Sequence, residues 1–180
     1  MKKMNQKDIM VVALIAVVLG LMALGMDAIY TPLTAIFGPL GGAILYGIYL
    51  LSATLPMALI KKPGIALVGS VLTGLVNLLF GSPYGINIIV AAVLQGLGVE
   101  AGSFLFKNNS YLSLSIGSIL AMLLVTARDY FIFGFGELGK MIPVVLLVRL
   151  LSSVVLGGLL AVILERGVRR TGVMQMLSGR

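Results

Sequence analysis

The chain has 180 residues, 59% of them hydrophobic and only 11% charged, with a formal net charge of +7. A soluble domain is roughly 45–50% apolar and about 25% charged, so this composition excludes an ordinary water-soluble fold. The absence of Cys and His removes disulfides, thiolate metal sites, the commonest metal ligand and the commonest general base.

A helix needs about 20 residues to cross the hydrocarbon core, so this length holds about six crossings joined by short loops. Lys2, Lys3 and Lys7 open the chain like the n-region of a signal peptide. The apolar run that follows, 9–25, is too long for a typical h-region, and Met26-Asp27-Ala28-Ile29-Tyr30 is a poor cleavage site, so the segment is read as a membrane helix. Span one covers about 9–29, with Pro32, Gly38, Pro39, Gly41 and Gly42 as breakers after it. Span two, about 43–60, ends at Lys61-Lys62-Pro63-Gly64. Span three, about 65–80, stops at the uncharged turn cluster Gly81-Ser82-Pro83-Tyr84-Gly85. Span four covers about 86–106 and is followed by the polar turn Lys107-Asn108-Asn109-Ser110. Span five, about 111–133, is separated by a Gly-rich loop carrying Glu137 and Lys140 from span six, about 141–164. The expected fold is therefore all-α: an integral membrane bundle of six transmembrane helices forming one domain over 1–180, with 165–180 as a basic cytoplasmic tail.

The cations set the expected orientation. Lys2, Lys3, Lys7, Lys61, Lys62, Lys107, Arg166, Arg169, Arg170 and Arg180 fall on one side of this arrangement, and the loops of the other side carry only Lys140. By the positive-inside rule both termini are cytoplasmic, and an even number of spans requires that they share a side. The same placement argues against nucleic acid as a partner, because the cations sit at segment ends and form no stripe with aromatics between them. Small residues recur every fourth position: Ala16 and Gly20, Ser70 and Gly74, Gly98 and Gly102, Ser113, Gly117 and Ala121, and Ser153, Gly157 and Ala161. Such rows let helices approach closely, either inside the bundle or against a membrane partner.

Ionisable groups within membrane spans are costly and mark functional sites. Glu100, Arg128, Asp129 and Arg149 fall within spans, with Asn77, Asn87 and Gln95 as neutral polar companions. Span direction puts Asn77, Asn87, Arg128, Asp129 and Arg149 toward the external side, Gln95 near the middle and Glu100 in the cytoplasmic half. Polar groups of four helices thus converge in the outer half, as a pocket open to the outside requires. Asp129 and Arg149 either neutralise each other or meet a ligand, and Arg128, which can snorkel to the headgroups from near its helix end, is read as structural. Tyr46, Tyr49 and Tyr84 can stack on a flat ring or anchor the chain at the interface. No catalytic constellation, phosphate-cradling loop or metal-ligand cluster is present, so an enzyme, a cofactor and a metal are not expected.

Several segments carry a resemblance. Phe37-Gly38-Pro39-Leu40-Gly41, Leu45-Tyr46-Gly47-Ile48-Tyr49, Lys61-Lys62-Pro63-Gly64-Ile65-Ala66-Leu67, Leu94-Gln95-Gly96-Leu97-Gly98-Val99-Glu100-Ala101, Arg149-Leu150-Leu151-Ser152 and Thr171-Gly172-Val173 keep their order across nearly the whole chain. Together they resemble the YkoE family, substrate-binding S components of energy-coupling factor (ECF) type ABC transporters for vitamins. The resemblance implies a multi-pass protein of a prokaryotic plasma membrane that captures thiamine or its hydroxymethylpyrimidine precursor. It implies two kinds of partner besides membrane lipid: a transmembrane coupling protein and a pair of cytoplasmic ABC ATPases. It assigns Ala16 and Gly20 to docking on the coupling protein, and Gln95 and Glu100 to the pocket or the layer beneath it. With Asn77, Tyr49, Tyr84, Asp129 and Arg149 these form the expected substrate-binding set. Related sequences commonly carry Glu near Ser70 and Asn77 and Trp in place of Tyr49. The departures favour a neutral pyrimidine or another small heterocycle over the thiamine cation. The remaining alternatives are an ion-coupled secondary carrier and a non-binding structural subunit.

Overall fold

The computed structural model describes residues 4–106 and 110–171. Lys2, Lys3, Lys107, Asn108, Asn109, Gly172, Val173 and Arg180 lie outside them. Among the described residues all regular structure is helical. Five stretches are long and apolar enough to cross a membrane, and one shorter apolar helix accompanies them.

Helix α1 spans Gln6–Phe37. It begins with a reciprocal cap: Asn5 Oδ1 accepts from the Asp8 amide at 2.9 Å, and the Asp8 carboxylate accepts from the Asn5 amide at 2.7 Å. The expected break after residue 29 is absent, and the helix continues through Pro32. Proline removes one donor from the ladder, the one that would have met the Ala28 carbonyl, and one turn on the Thr34 hydroxyl bonds back to the carbonyls of Tyr30 and Thr31, each at 2.9 Å. The chain turns instead at Gly38, whose φ of 60° and ψ of −149° suit glycine alone. Gly41 makes the return tight, since a Cβ there would lie 2.6 Å from the Leu33 carbonyl oxygen.

Helices α2 (Pro39–Tyr49) and α3 (Leu51–Ile60) join through Leu50, which keeps helical dihedrals. Together they form the central rod. Every residue from Leu51 to Leu59 is buried, as expected of a helix that is apolar all round. The rod ends at Lys61, which takes a left-handed conformation with φ of 54°. Lys62 Nζ then pairs with Asp8 at 2.6 Å, tying this turn to the start of α1.

Helix α4 (Ile65–Leu79) has 15 residues. At 1.5 Å per residue it is roughly 22 Å long, short of the roughly 30 Å hydrocarbon core. Irregular chain over 80–86 leads on to α5 (Asn87–Leu105). Helix α6 covers Ser110–Ile132. Helices α5 and α6 pack backbone to backbone: a Cβ at Gly98 would collide with Ala121, and one at Gly102 with Gly117. The rows of small residues thus meet each other inside the bundle, where lipid supplies no hydrophobic drive and close van der Waals packing must.

A 3-10 segment, Phe135–Met141, leads into α7 (Ile142–Ser152), a π-helical segment (Ser153–Leu159) and α8 (Leu160–Arg170). Ser152 stitches this run to the rod: its Oγ accepts from the Gly47 amide at 2.8 Å and donates to the Ile44 carbonyl at 2.6 Å. Around the rod, α1 lies against α4, α4 against α5, α5 against α6, and α7 against α2. The outer surface is apolar, with Leu14, Val18, Phe131 and Leu147 exposed, as lipid contact requires.

Candidate functional site

The end of the bundle where α4 stops and α5 starts holds a cavity of about 320 Å³. That is within the usual size of small-molecule sites, roughly 300–1,000 Å³. Of the expected substrate-binding residues, Tyr49, Asn77, Tyr84, Gln95, Asp129 and Arg149 all line it, on α2, α4, the 80–86 connection, α5, α6 and α7.

One wall is a charged cluster. Arg149 Nη1 donates to Asp129 Oδ2 at 2.8 Å and to the Thr126 hydroxyl at 3.1 Å. Its guanidinium carbon sits 4.9 Å from the Tyr46 ring centre and 4.7 Å from that of Phe135, so two aromatic faces hold the cation. Arg128 does not extend to the outer surface: its Nη2 donates to Asp129 Oδ1 at 2.6 Å and its Nη1 to the Asn87 carbonyl at 2.9 Å. Neighbouring helical residues diverge by about 100°. The length of Arg128 allows its head to fold back onto the next residue's carboxylate. Asp129 thus carries two guanidiniums, and the cluster has one positive charge in excess.

A second polar cluster lining the cavity is built on Asp27 of α1, which falls at the end of the expected span one and has no expected role. Because α1 continues to Phe37, Asp27 lies well inside the helix and is only 3% exposed. It accepts from the Tyr49 hydroxyl at 2.8 Å, Asn77 Nδ2 at 3.1 Å and the Ser82 hydroxyl at 3.0 Å. The sequence signal was present, an acid within a long apolar run, but it was masked by taking Pro32 as a terminator. Tyr30 and Tyr84 meet edge to face nearby, their ring centres 6.1 Å apart. Burial pushes the Tyr84 hydroxyl above its ordinary pKa, so it stays neutral and able to donate.

Gln95 forms the floor, its Oε1 accepting from the Ser52 hydroxyl at 3.2 Å. Four buried polar atoms along the walls have no partner: Tyr46 Oη, Thr73 Oγ1, Asn77 Oδ1 and Arg149 Nε. Buried polar groups are normally paired, so unmet ones around a cavity are hydrogen-bonding capacity left for an occupant.

Three expected residues lie elsewhere. Glu100 accepts from the Ala66 amide at 2.8 Å and does not line the cavity. The first turn of α4 leaves amide donors free at the positive end of its dipole, and a carboxylate is the favourable cap. Ala16 and Gly20 are buried in the bundle and are not on its outer surface. A Cβ at Gly20 would meet Val76 of α4 at 2.6 Å, so this row of small residues serves the contact between α1 and α4.

Comparison with known proteins accords with this geometry. The chain is 29% identical to YkoE of Bacillus subtilis (strain 168), whose name makes it an HMP/thiamine permease protein, over 97% of this chain and 89% of that one. A crystal structure of an S component of an ECF transporter superposes with a TM-score of 0.91 at 28% identity, covering 96% of this chain and 89% of the other. These likenesses place the chain among transporter S components, multi-pass proteins of the prokaryotic plasma membrane. With residues 7–127 matching its profile, the chain belongs to the family described as the permease component of the ABC-type cobalt transport system.

Proposed function

We propose that the protein is the substrate-capturing subunit of a vitamin importer, binding thiamine or its hydroxymethylpyrimidine precursor in the cavity between Asp27 and Arg149. The observation that carries this reading is the cavity itself: about 320 Å³, edged by Tyr30, Tyr46, Tyr49 and Tyr84, with unpartnered polar atoms around it. Aromatic faces with a few placed polar groups suit a flat heterocycle. The name of the Bacillus subtilis relative supplies the substrate class.

In this reading the chain crosses the membrane six times, with both termini in the cytoplasm and the cavity in the outer half. The loops expected outside carry only Lys140 as a cation, which supports that orientation. The chain has no phosphate-binding loop, so inward delivery is driven by ATP through a transmembrane coupling protein and two cytoplasmic ATPases.

The family description favours a second cargo, cobalt. The chain has no His or Cys, and Asp129 is already held by two guanidiniums. A divalent transition metal would therefore find one free carboxylate and no imidazole, a poor ligand set.

Calorimetric titration of the purified protein in detergent tests the proposal, with thiamine, hydroxymethylpyrimidine and cobalt chloride in parallel. Saturable binding of either organic ligand, and none of cobalt, is expected. Folded, ligand-free protein that binds neither organic ligand would overturn the assignment.

A further inference from the structure

We infer that Asp27 is the counter-charge for a positively charged ring, so that the cavity selects a cationic heterocycle, as in thiamine, over an uncharged pyrimidine. This rests on the vitamin-binding reading above.

The two acids of the cavity differ in their surroundings. Asp129 is neutralised twice over, by Arg128 and Arg149. Asp27 is 3% exposed, receives only the neutral donors of Tyr49, Asn77 and Ser82, and has no ion pair among the described residues. A buried charge without an ion-pair partner is expensive, and a carboxylate held in that condition on the lining of a cavity is suited to receive a cation there. Tyr49 is bonded to Asp27, and a tyrosine ring face attracts cations as well. The adjoining Thr73 Oγ1 and Asn77 Oδ1, 4% and 1% exposed by residue, have no partner and can accept from a ring amino group. The neutral residues at Ser70 and Asn77 therefore do not leave the site without an acid. The negative charge comes from α1, and Asn77 serves as a donor to it.

The test is a two-by-two titration: wild type and Asp27→Asn, each with thiamine and with the analogue in which a neutral thiophene replaces the thiazolium. Wild type is expected to prefer thiamine by at least about ten-fold, roughly 1.4 kcal/mol, and Asp27→Asn to bring the two ligands within about two-fold. Asp27→Glu, which retains the charge, is expected to keep the preference. A preference that survives in Asp27→Asn, or equal losses for both ligands, overturns the proposal by showing that Asp27 does not read the charge. If Asp27→Asn does not fold, the wild-type ratio alone decides, and equal binding of the two ligands overturns it. Wild type that binds thiamine, its analogue and hydroxymethylpyrimidine not at all overturns the vitamin reading first and this assignment with it.

Discussion

Asp129 holds two arginines that would otherwise face each other inside the bundle. Its carboxylate takes Arg149 at 2.8 Å and Arg128 at 2.6 Å, and both guanidiniums also lean on aromatic rings. Asp129→Asn removes the counter-charge and leaves both cations buried. The expected cost is about 3–5 kcal/mol, read as a lowered thermal midpoint in detergent. Asp129→Asn combined with Arg149→Gln should recover part of that loss, because one stranded cation is then gone. A midpoint unchanged in the single variant would show that the cluster contributes nothing to stability. At this scale much of the site was legible in the sequence. Asn77, Gln95, Asp129 and Arg149 stand out as polar residues within apolar runs, and all four line the cavity. Glu100 stands out in the same way, yet it caps α4, because a helix start happens to lie within its reach. Polarity inside a span reveals that a partner exists, and only the neighbouring helix decides whether that partner is a ligand or a backbone amide.

Glycine separates the helix faces that pack from those that meet lipid. Gly98 touches the backbone of α6 at Ala121, whereas Gly25 has nothing within 4 Å of where its Cβ would be. Gly98→Leu should therefore push α5 from α6 and cost upwards of about 1–3 kcal/mol, the usual range for overpacking. Gly25→Leu should be tolerated or slightly stabilising, since leucine is the better helix former. Size-exclusion profiles and melting curves of the two variants in detergent would check this, and equal behaviour would contradict the packing described. The same contrast explains why the small-residue row at Ala16 and Gly20 could not be placed from sequence. Spacing puts both residues on one face of α1, but which way that face points depends on where α4 lies. Gly38 and Gly64, read from sequence as breakers, both take positive φ at turns, 60° and 85°. The end of the first helix was misplaced at Pro32, because a proline costs a membrane helix one ladder bond without ending it, and here the helix runs on to Phe37.

The whole molecule must present its cavity to one side of the membrane, and the cation distribution predicts which. The chain has no Cys, so single introduced thiols report topology without background. Lys7→Cys and Lys140→Cys both replace exposed residues. An impermeant maleimide added outside intact cells should label the thiol at 140 and should reach the one at 7 only after permeabilisation. The reverse pattern would invert the proposed orientation. The residue order by itself determined that the chain lives in a bilayer as a bundle of helices, because composition and the length of apolar runs follow from the thickness and polarity of the solvent they meet. It also determined the polar residues from which a site had to be made. Only the tertiary structure decided that Asp27 lines the cavity, that Glu100 does not, and that Ala16 and Gly20 are buried within the bundle. Helical spacing fixes which residues share a face, whereas burial, pairing and access to a cavity depend on how separate helices are set against one another.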